Sequence, residues 1–196
     1  MSRRLGRAFF SRPTLEVAPD LLNKVLVGPG VAGRIVEAEA YRGTDDPGSH
    51  AYRGPTPRTE VMFGRAGHLY VYFTYGMHWC ANVVTDAVGT PGAVLLRAVT
   101  PLRGVELMQE RRIAARRPVD LANGPAKLAQ CFALGAAHDG ADLVRAESGL
   151  SIRDDGTPPP APAATGPRVG LSRGKDLPWR FAVPGVAEVS RPAPGR

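Results

Sequence analysis

The segment RIVEAEAY, residues 34–41, sets two carboxylates, Glu37 and Glu39, two positions apart with Tyr41 beyond them. Read as a strand over residues 33–41, it sends successive side chains to opposite faces. Val36, Ala38 and Ala40 then form a core-like face, and Ile35, Glu37, Glu39 and Tyr41 share the other. A carboxylate held beside an aromatic ring is a candidate general base, able to take a proton from water. The plainer reading leaves both acids facing solvent. Arg97 lies within the apolar run VLLRAV. A buried guanidinium without a carboxylate partner is very costly, so a partner is expected. Glu39 is one, and a bidentate grip would keep it ionised and aimed. Glu37 is the alternative, in a purely structural ion pair.

Other chemistries find less support. Asp45, Asp46, His50 and His68 offer metal-binding side chains, but their spacing fits no standard ligand pattern. CxxC and HExxH are absent, and the two cysteines, Cys80 and Cys131, sit in apolar or helical patterns that read as core positions. The only lysines are Lys24, Lys127 and Lys175, none near the Glu39 or Tyr72 segments. An amine nucleophile is therefore not expected.

The elements that must carry these residues fit one domain. The chain has 196 residues, 43% of them hydrophobic, enough for one well-packed core. PTLEVAPDLL, residues 13–22, reads as a short helix with Pro13 in its first turn, Pro19 disturbing its middle and Asn23 as a left-handed stop. Residues 42–67 form a long turn-rich segment, partly packed through Met62 and Phe63. HLYVYFTYGMHWCANVV, residues 68–84, reads as a β-hairpin turning at Tyr75-Gly76-Met77. His68, Tyr70 and Tyr72 alternate on one face of the first strand, and after the turn Cys80, Asn82 and Val84 alternate with Trp79, Ala81 and Val83. Residues 92–99 give a further strand, residues 102–116 a helix, and Asn123 caps another helix with Pro125 in its first turn and Gly135 as its stop. Residues 154–168 are a Pro-rich surface loop. The apolar segments RVGLS and WRFAV then return to the same sheet. Residues 1–12 and 192–196 read as flexible tails.

The net charge is +7, carried mostly by arginine, and the isoelectric point is about 10.0. Such a balance suits a phosphate-rich partner, although a GC-rich genome also writes arginine freely. The N-terminus is basic but lacks an apolar leader segment, and no run reaches membrane-spanning length. A cytoplasmic protein is expected, nucleoid-associated in a bacterium.

RIVEAEAYRGTDDPGSHAYRG, TPR, MF, YVYFTYGMHWCANVV, AVLLRAVTPLRGVE and NGPAKLAQ, in this order, resemble the alkyladenine (3-methyladenine) DNA glycosylase family. The likeness covers roughly residues 13–191. It implies a mixed α+β (α/β) single domain, with a curved antiparallel sheet surrounded by helices and a protruding hairpin that enters the minor groove. It further implies a monomer acting on double-stranded DNA with alkylated bases, without cofactor or metal, that flips the damaged purine and leaves an abasic site. Of the two carboxylates, the resemblance selects Glu39 as the base that activates water, with Arg97 and the backbone carbonyl of Val169 holding that water. Tyr41, His50, Tyr72 and Asn82 match the pocket for the extruded base. Tyr75, with Met77, matches the wedge that fills the gap in the duplex. Arg42, Arg53, Arg58 and the helix start at Gly124 and Lys127 are the candidate phosphate contacts. A non-catalytic nucleic-acid-binding module of the same fold is the rival reading; it would keep the basic surface without needing Glu39 and Arg97 in these positions.

Overall fold

The structure, a computed structural model, describes residues 2–190. Its centre is a strongly curled antiparallel sheet, with helices packed mainly against one face. The long strands are β3 (Val31–Tyr41), β4 (Leu69–Thr74), β5 (His78–Thr85) and β6 (Gly92–Arg103). With β1 (Arg3–Arg4), β2 (Val25–Gly28) and β7 (Ser151–Asp154) they follow the order β1-β7-β2-β3-β6-β5-β4. Two short late strands, β8 (Ala164–Gly166) and β9 (Arg180–Ala182), pair with each other, and β9 also pairs with β3.

β3 is therefore flanked on both sides. β6 runs along one edge, while β2 covers the first part of the other edge and β9 the stretch Glu37–Glu39. This double flanking leaves Glu37 and Glu39 fully buried rather than solvent-facing. The pairing of β3 with β6 slips three times, between Ala32 and Gly33 and, beside the acids, between Ile35 and Glu37 and between Glu37 and Ala38. Val36 is the extra residue on β3 and Arg97 the extra residue on β6. A bulge bends the strand and re-aims the side chains around it. Strict alternation puts Ile35 with the acids; instead Ile35 packs in the core cluster of Ala38 and Ala40, because the bulge at Val36 shifts the phase.

The main core lies between the sheet and the helices α2 (Thr14–Asp20) and α4 (Pro125–Cys131), with Leu21, Leu96, Leu128 and Phe132 among its residues. A smaller cluster of Ala51, Met62, Tyr70, Val84 and Ala93 lies beneath the long segment 42–67. That segment contains short 3-10 turns at Gly43–Asp45 and Glu60–Phe63.

Several boundaries differ from the sequence reading. Most of the expected N-terminal tail is structured: Arg3–Arg4 pairs with β7, and helix α1 (Arg7–Phe10) buries Phe10 completely. Residues 102 and 103 continue β6, so the next helix, α3, spans only Val105–Arg111 behind a left-handed Gly104. α4 is led in by Gly124 rather than Asn123, whose Oδ1 accepts a hydrogen bond from Lys127 Nζ (2.6 Å). It ends at Cys131, with left-handed Ala133 (φ 52°) following, short of Gly135. Pro19 sits in the last turn of α2, where it is tolerated, and Asn23 does adopt φ 65°. WRFAV supplies β9, whereas RVGLS forms no strand. Residues 192–196 lie outside the described residues. No helix among the described residues is long and apolar enough to cross a membrane.

Candidate active site

Two carboxylates two residues apart take different partners. Glu37 Oε1 accepts hydrogen bonds from Arg97 Nε (2.9 Å), Arg180 Nε (2.6 Å) and Ser190 Oγ (3.0 Å), while its Oε2 accepts the Ser190 amide (2.6 Å). Glu39 Oε1 accepts the Val169 amide (2.8 Å) and lies 3.3 Å from Arg97 Nη1; its Oε2 accepts the Tyr41 hydroxyl (2.9 Å). Arg97 thus spans both acids instead of gripping Glu39 bidentately, as its position on the bulge allows. Val169 contacts Glu39 through its backbone N–H, whereas the resemblance implies a role for its carbonyl. Burial raises the Glu39 pKa, opposed by Arg97, the Val169 amide and the Tyr41 hydroxyl. An ionised carboxyl offers about four acceptor sites. Two protein contacts occupy Oε1 and one occupies Oε2, so the open position lies on Oε2 beside Tyr41.

Tyr41 connects this cluster to a cavity of about 360 Å³, its open mouth included. Tyr41, His50, Tyr72 and Asn82 all line it, together with Ser49, Met62, Tyr70 and Leu171. Glu39 is not in the lining; it stands behind Tyr41. The walls are built by period-two alternation on β4 and β5, where Tyr70 faces Asn82 and Tyr72 faces Cys80 across the pair. Tyr70 and Tyr72 stack at 5.3 Å, and His50 stands edge-on to Tyr72 at 4.6 Å with Nδ1 3.0 Å from the Tyr70 hydroxyl. Desolvation, and then the nearby Arg58, lower the His50 pKa from its ordinary 6.5. The ring is therefore neutral at pH 7 and adds no positive charge to the cavity. Burial raises the Tyr41 and Tyr72 pKa values, so both keep their protons.

The hairpin tip is a short distance along β4. Thr74 pairs with His78, and Tyr75 and Gly76 take left-handed φ values of 52° and 66° to close the turn. Tyr75 is 79% exposed and Met77 65%. Both side chains project largely into solvent from the tip.

The candidate phosphate-binding residues scatter. Arg53 is exposed. Arg42 pairs with Asp45 and lies 5.6 Å from the Trp179 ring. Arg58 stands over Tyr72 at 5.3 Å, at the cavity itself. Gly124 is buried, and Lys127 turns back onto Asn123. No α4 residue lines the cavity.

The residues of the metal reading are engaged elsewhere. Asp45 pairs with Arg42, His50 bonds Tyr70, and His68 Nδ1 bonds the Arg65 carbonyl (2.8 Å). Asp46 is fully buried against Arg168, with Nη2 to Oδ1 at 2.7 Å. This last pair, and the participation of Tyr70, were not anticipated. Arg168 could have been suspected from its place next to Val169, and Asp46 from the Asp-Pro-Gly turn, whose amides an aspartate accepts.

A curled antiparallel sheet with a buried carboxylate–arginine cluster behind an aromatic cavity defines a class of base-excising DNA enzymes, and the comparisons agree. The methylpurine-DNA glycosylase profile matches residues 8–187, and the chain belongs to that family. Among its relatives is a protein of Burkholderia lata provisionally named 3-methyladenine DNA glycosylase, 55% identical over 193 residues, covering 98% of this chain and 93% of the relative. Proteins with the same provisional name from Streptomyces avermitilis and Chlorobaculum tepidum are 50% and 46% identical, covering 95% and 98% of this chain and 90% and 93% of theirs.

Proposed function

We propose that this chain is a monofunctional glycosylase that extrudes 3-methyladenine and related alkylated purines from duplex DNA and hydrolyses their N-glycosidic bond. The observation that carries the reading is Glu39, fully buried and held by Arg97, the Val169 amide and Tyr41 directly behind the wall of an aromatic cavity. In this reading a water on the open side of Oε2 attacks C1′ of the sugar and passes its proton to Glu39. The C1′–N bond breaks and its electron pair stays with the purine. An alkylated purine such as 3-methyladenine begins cationic and departs neutral, so it needs little acid assistance. The negative charge of Glu39 favours the cationic sugar of the transition state. Arg97 offsets part of the cost of burying that charge.

Selection follows from the same walls. A desolvated cation over an aromatic face gains up to ~2 kcal/mol, which favours alkylated purines over normal ones at Tyr41 and Tyr72. Asn82 donates its amide to the Tyr70 carbonyl (3.1 Å) and is thereby fixed at the cavity floor, where it would bear on purine ring substituents. Tyr75 and Met77 would enter the minor groove and fill the space of the extruded nucleotide, offsetting part of an unstacking cost of a few kcal/mol. Arg42, Arg53 and Arg58 would be candidates to meet phosphates.

The test is release of free base from duplex DNA carrying 3-methyladenine. The wild-type protein releases it, in EDTA as well as without. Glu39→Gln binds the duplex and releases none. Full activity of that variant, or loss of wild-type activity on chelation, refutes the reading.

A further inference from the structure

We propose that the buried ion pair Arg168–Asp46 is a positioning element for hydrolysis, holding the Val169 amide on Glu39 and the Tyr41 ring against the cavity. The proposal rests on the glycosylase reading above but concerns residues which that reading leaves out. Both side chains are fully buried. The Arg168 fork reaches three separate segments. Nη1 donates to the Ala40 carbonyl (2.9 Å) at the end of β3; both terminal nitrogens hold Asp46 in the segment after β3; and Nη2 donates to the Gly174 carbonyl (3.1 Å). Its guanidinium lies over Tyr41 at 4.6 Å and Trp179 at 5.1 Å. The next residue along is Val169, whose amide sits on Glu39.

Asp46 carries the order to the other wall. Its Oδ1 accepts the Gly48 amide (2.9 Å) and its Oδ2 the Arg42 amide (3.2 Å). Gly48, Ser49 and His50 follow directly and line the cavity, as does Leu171 three residues beyond Arg168. The approach is close enough that a Cβ on Gly48 would stand 2.8 Å from both Arg168 Nη2 and Leu171 Cδ1. One ion pair thus joins the segment carrying His50, the strand carrying Glu39 and Tyr41, and the segment carrying Val169.

Stability alone does not account for this choice. An apolar pair of similar volume is often as stable as a buried ion pair, or more so. Arg168 Nε also has no partner among the described residues, and an unsatisfied buried donor is destabilising. What arginine adds is a rigid fork of donors in fixed directions, used here to register three segments around the carboxylate.

Asp46→Asn and Arg168→Lys test the proposal. Single-turnover base release, duplex affinity and the pH profile of the rate are measured on 3-methyladenine duplexes, with folding followed by thermal melting. A displacement of about 1 Å at a reacting group costs on the order of a hundredfold. The expected result is a loss approaching that size in the single-turnover rate, with duplex affinity within about threefold. The acid limb of the profile also moves to higher pH, because Glu39 loses the amide that favours its ionised form. A purely structural pair would lower the melting temperature and the active fraction while leaving that limb in place. A folded variant with unchanged rate and limb overturns the proposal. If neither variant folds, hydrogen exchange on the wild-type protein decides: the Val169 amide must exchange as slowly as the amides of β3, and rapid exchange refutes the clamp. Failure of the wild-type protein to release any base would instead overturn the glycosylase reading.

Discussion

Glu37→Gln and Glu39→Gln should have opposite consequences, although the two residues are equally buried and share Arg97. Glu37 accepts four hydrogen bonds of 3.0 Å or less, two of them from arginines. Removing one partner of a buried, well-made ion pair costs about 3–5 kcal/mol. For a chain of this size each kcal/mol is worth roughly 2–4 °C, so Glu37→Gln should lower the melting temperature by about 6–20 °C. The folded fraction should release base at a rate much closer to wild type than that of Glu39→Gln. Glu39 is held less tightly, with Arg97 at 3.3 Å, and burial raises its pKa. A raised carboxyl pKa means that the fold favours the protonated form. Wild-type stability therefore declines as pH climbs from the ordinary 4.5 through the raised value. Glu39→Gln escapes that decline: its melting temperature should match wild type near pH 4 and equal or exceed it at pH 7. Its base release should fall by 10²–10⁴-fold, the usual contribution of a general base. Melting curves at both pH values and single-turnover assays on 3-methyladenine duplexes read all four quantities. If Glu37→Gln melts like wild type and loses activity while Glu39→Gln stays active, the roles are reversed and the mechanism is wrong.

The upward shift at Glu39 also predicts that wild-type base release falls on acidification with a midpoint above 4.5, the ordinary value; a rate flat to pH 4 would contradict it. Tyr75→Ala removes a side chain that is 79% exposed, so melting should change by less than ~0.5 kcal/mol equivalent. Base release from duplex DNA should drop about tenfold or more, while a lesion in single-stranded DNA, which needs less unstacking, should be affected far less. Duplex affinity should fall steeply and linearly on a log–log plot as salt rises, and Arg53→Ala should reduce that slope if Arg53 meets phosphate.

The strand bearing the acids and the hairpin were legible because period-two alternation and a Tyr-Gly turn are local signals, whereas a pocket role for Tyr41 and Tyr72 came only from the family resemblance. Tyr70, Tyr72 and Asn82 fall on one face as alternation requires. The paired bulges at Val36 and Arg97 were not legible, since a slip exists only between two strands and leaves no mark on either. For the same reason alternation misassigned Ile35; Arg97, expected from its burial to pair with Glu39 or else Glu37, meets both. The helix expected over 102–116 was overextended because Leu102 and Arg103 satisfy a helical pattern as well as the strand they continue, and only the left-handed Gly104 separates the two (φ 70°). Arg168 and Asp46 are 122 positions apart, a separation at which pattern reading has no purchase. The choice of Glu39 over Glu37 came from family resemblance; the structure adds a physical difference, since only Glu39 contacts a residue of the cavity wall.

Ser190, near the end of the described chain, caps Glu37 with both its amide and its hydroxyl, across 153 positions. Val169, whose amide bonds Glu39, and Arg180, which bonds Glu37, come from the same late stretch. During synthesis the strand bearing both acids leaves the ribosome long before these partners exist. A nascent chain can therefore assemble much of the hairpin sheet, with Arg97 between the two acids, while Glu37 still lacks Arg180 and the Ser190 cap and Glu39 still lacks the Val169 amide. Reactivity would be the last property acquired, and a tag or trimming near residue 190 would disturb the centre of the enzyme rather than its periphery.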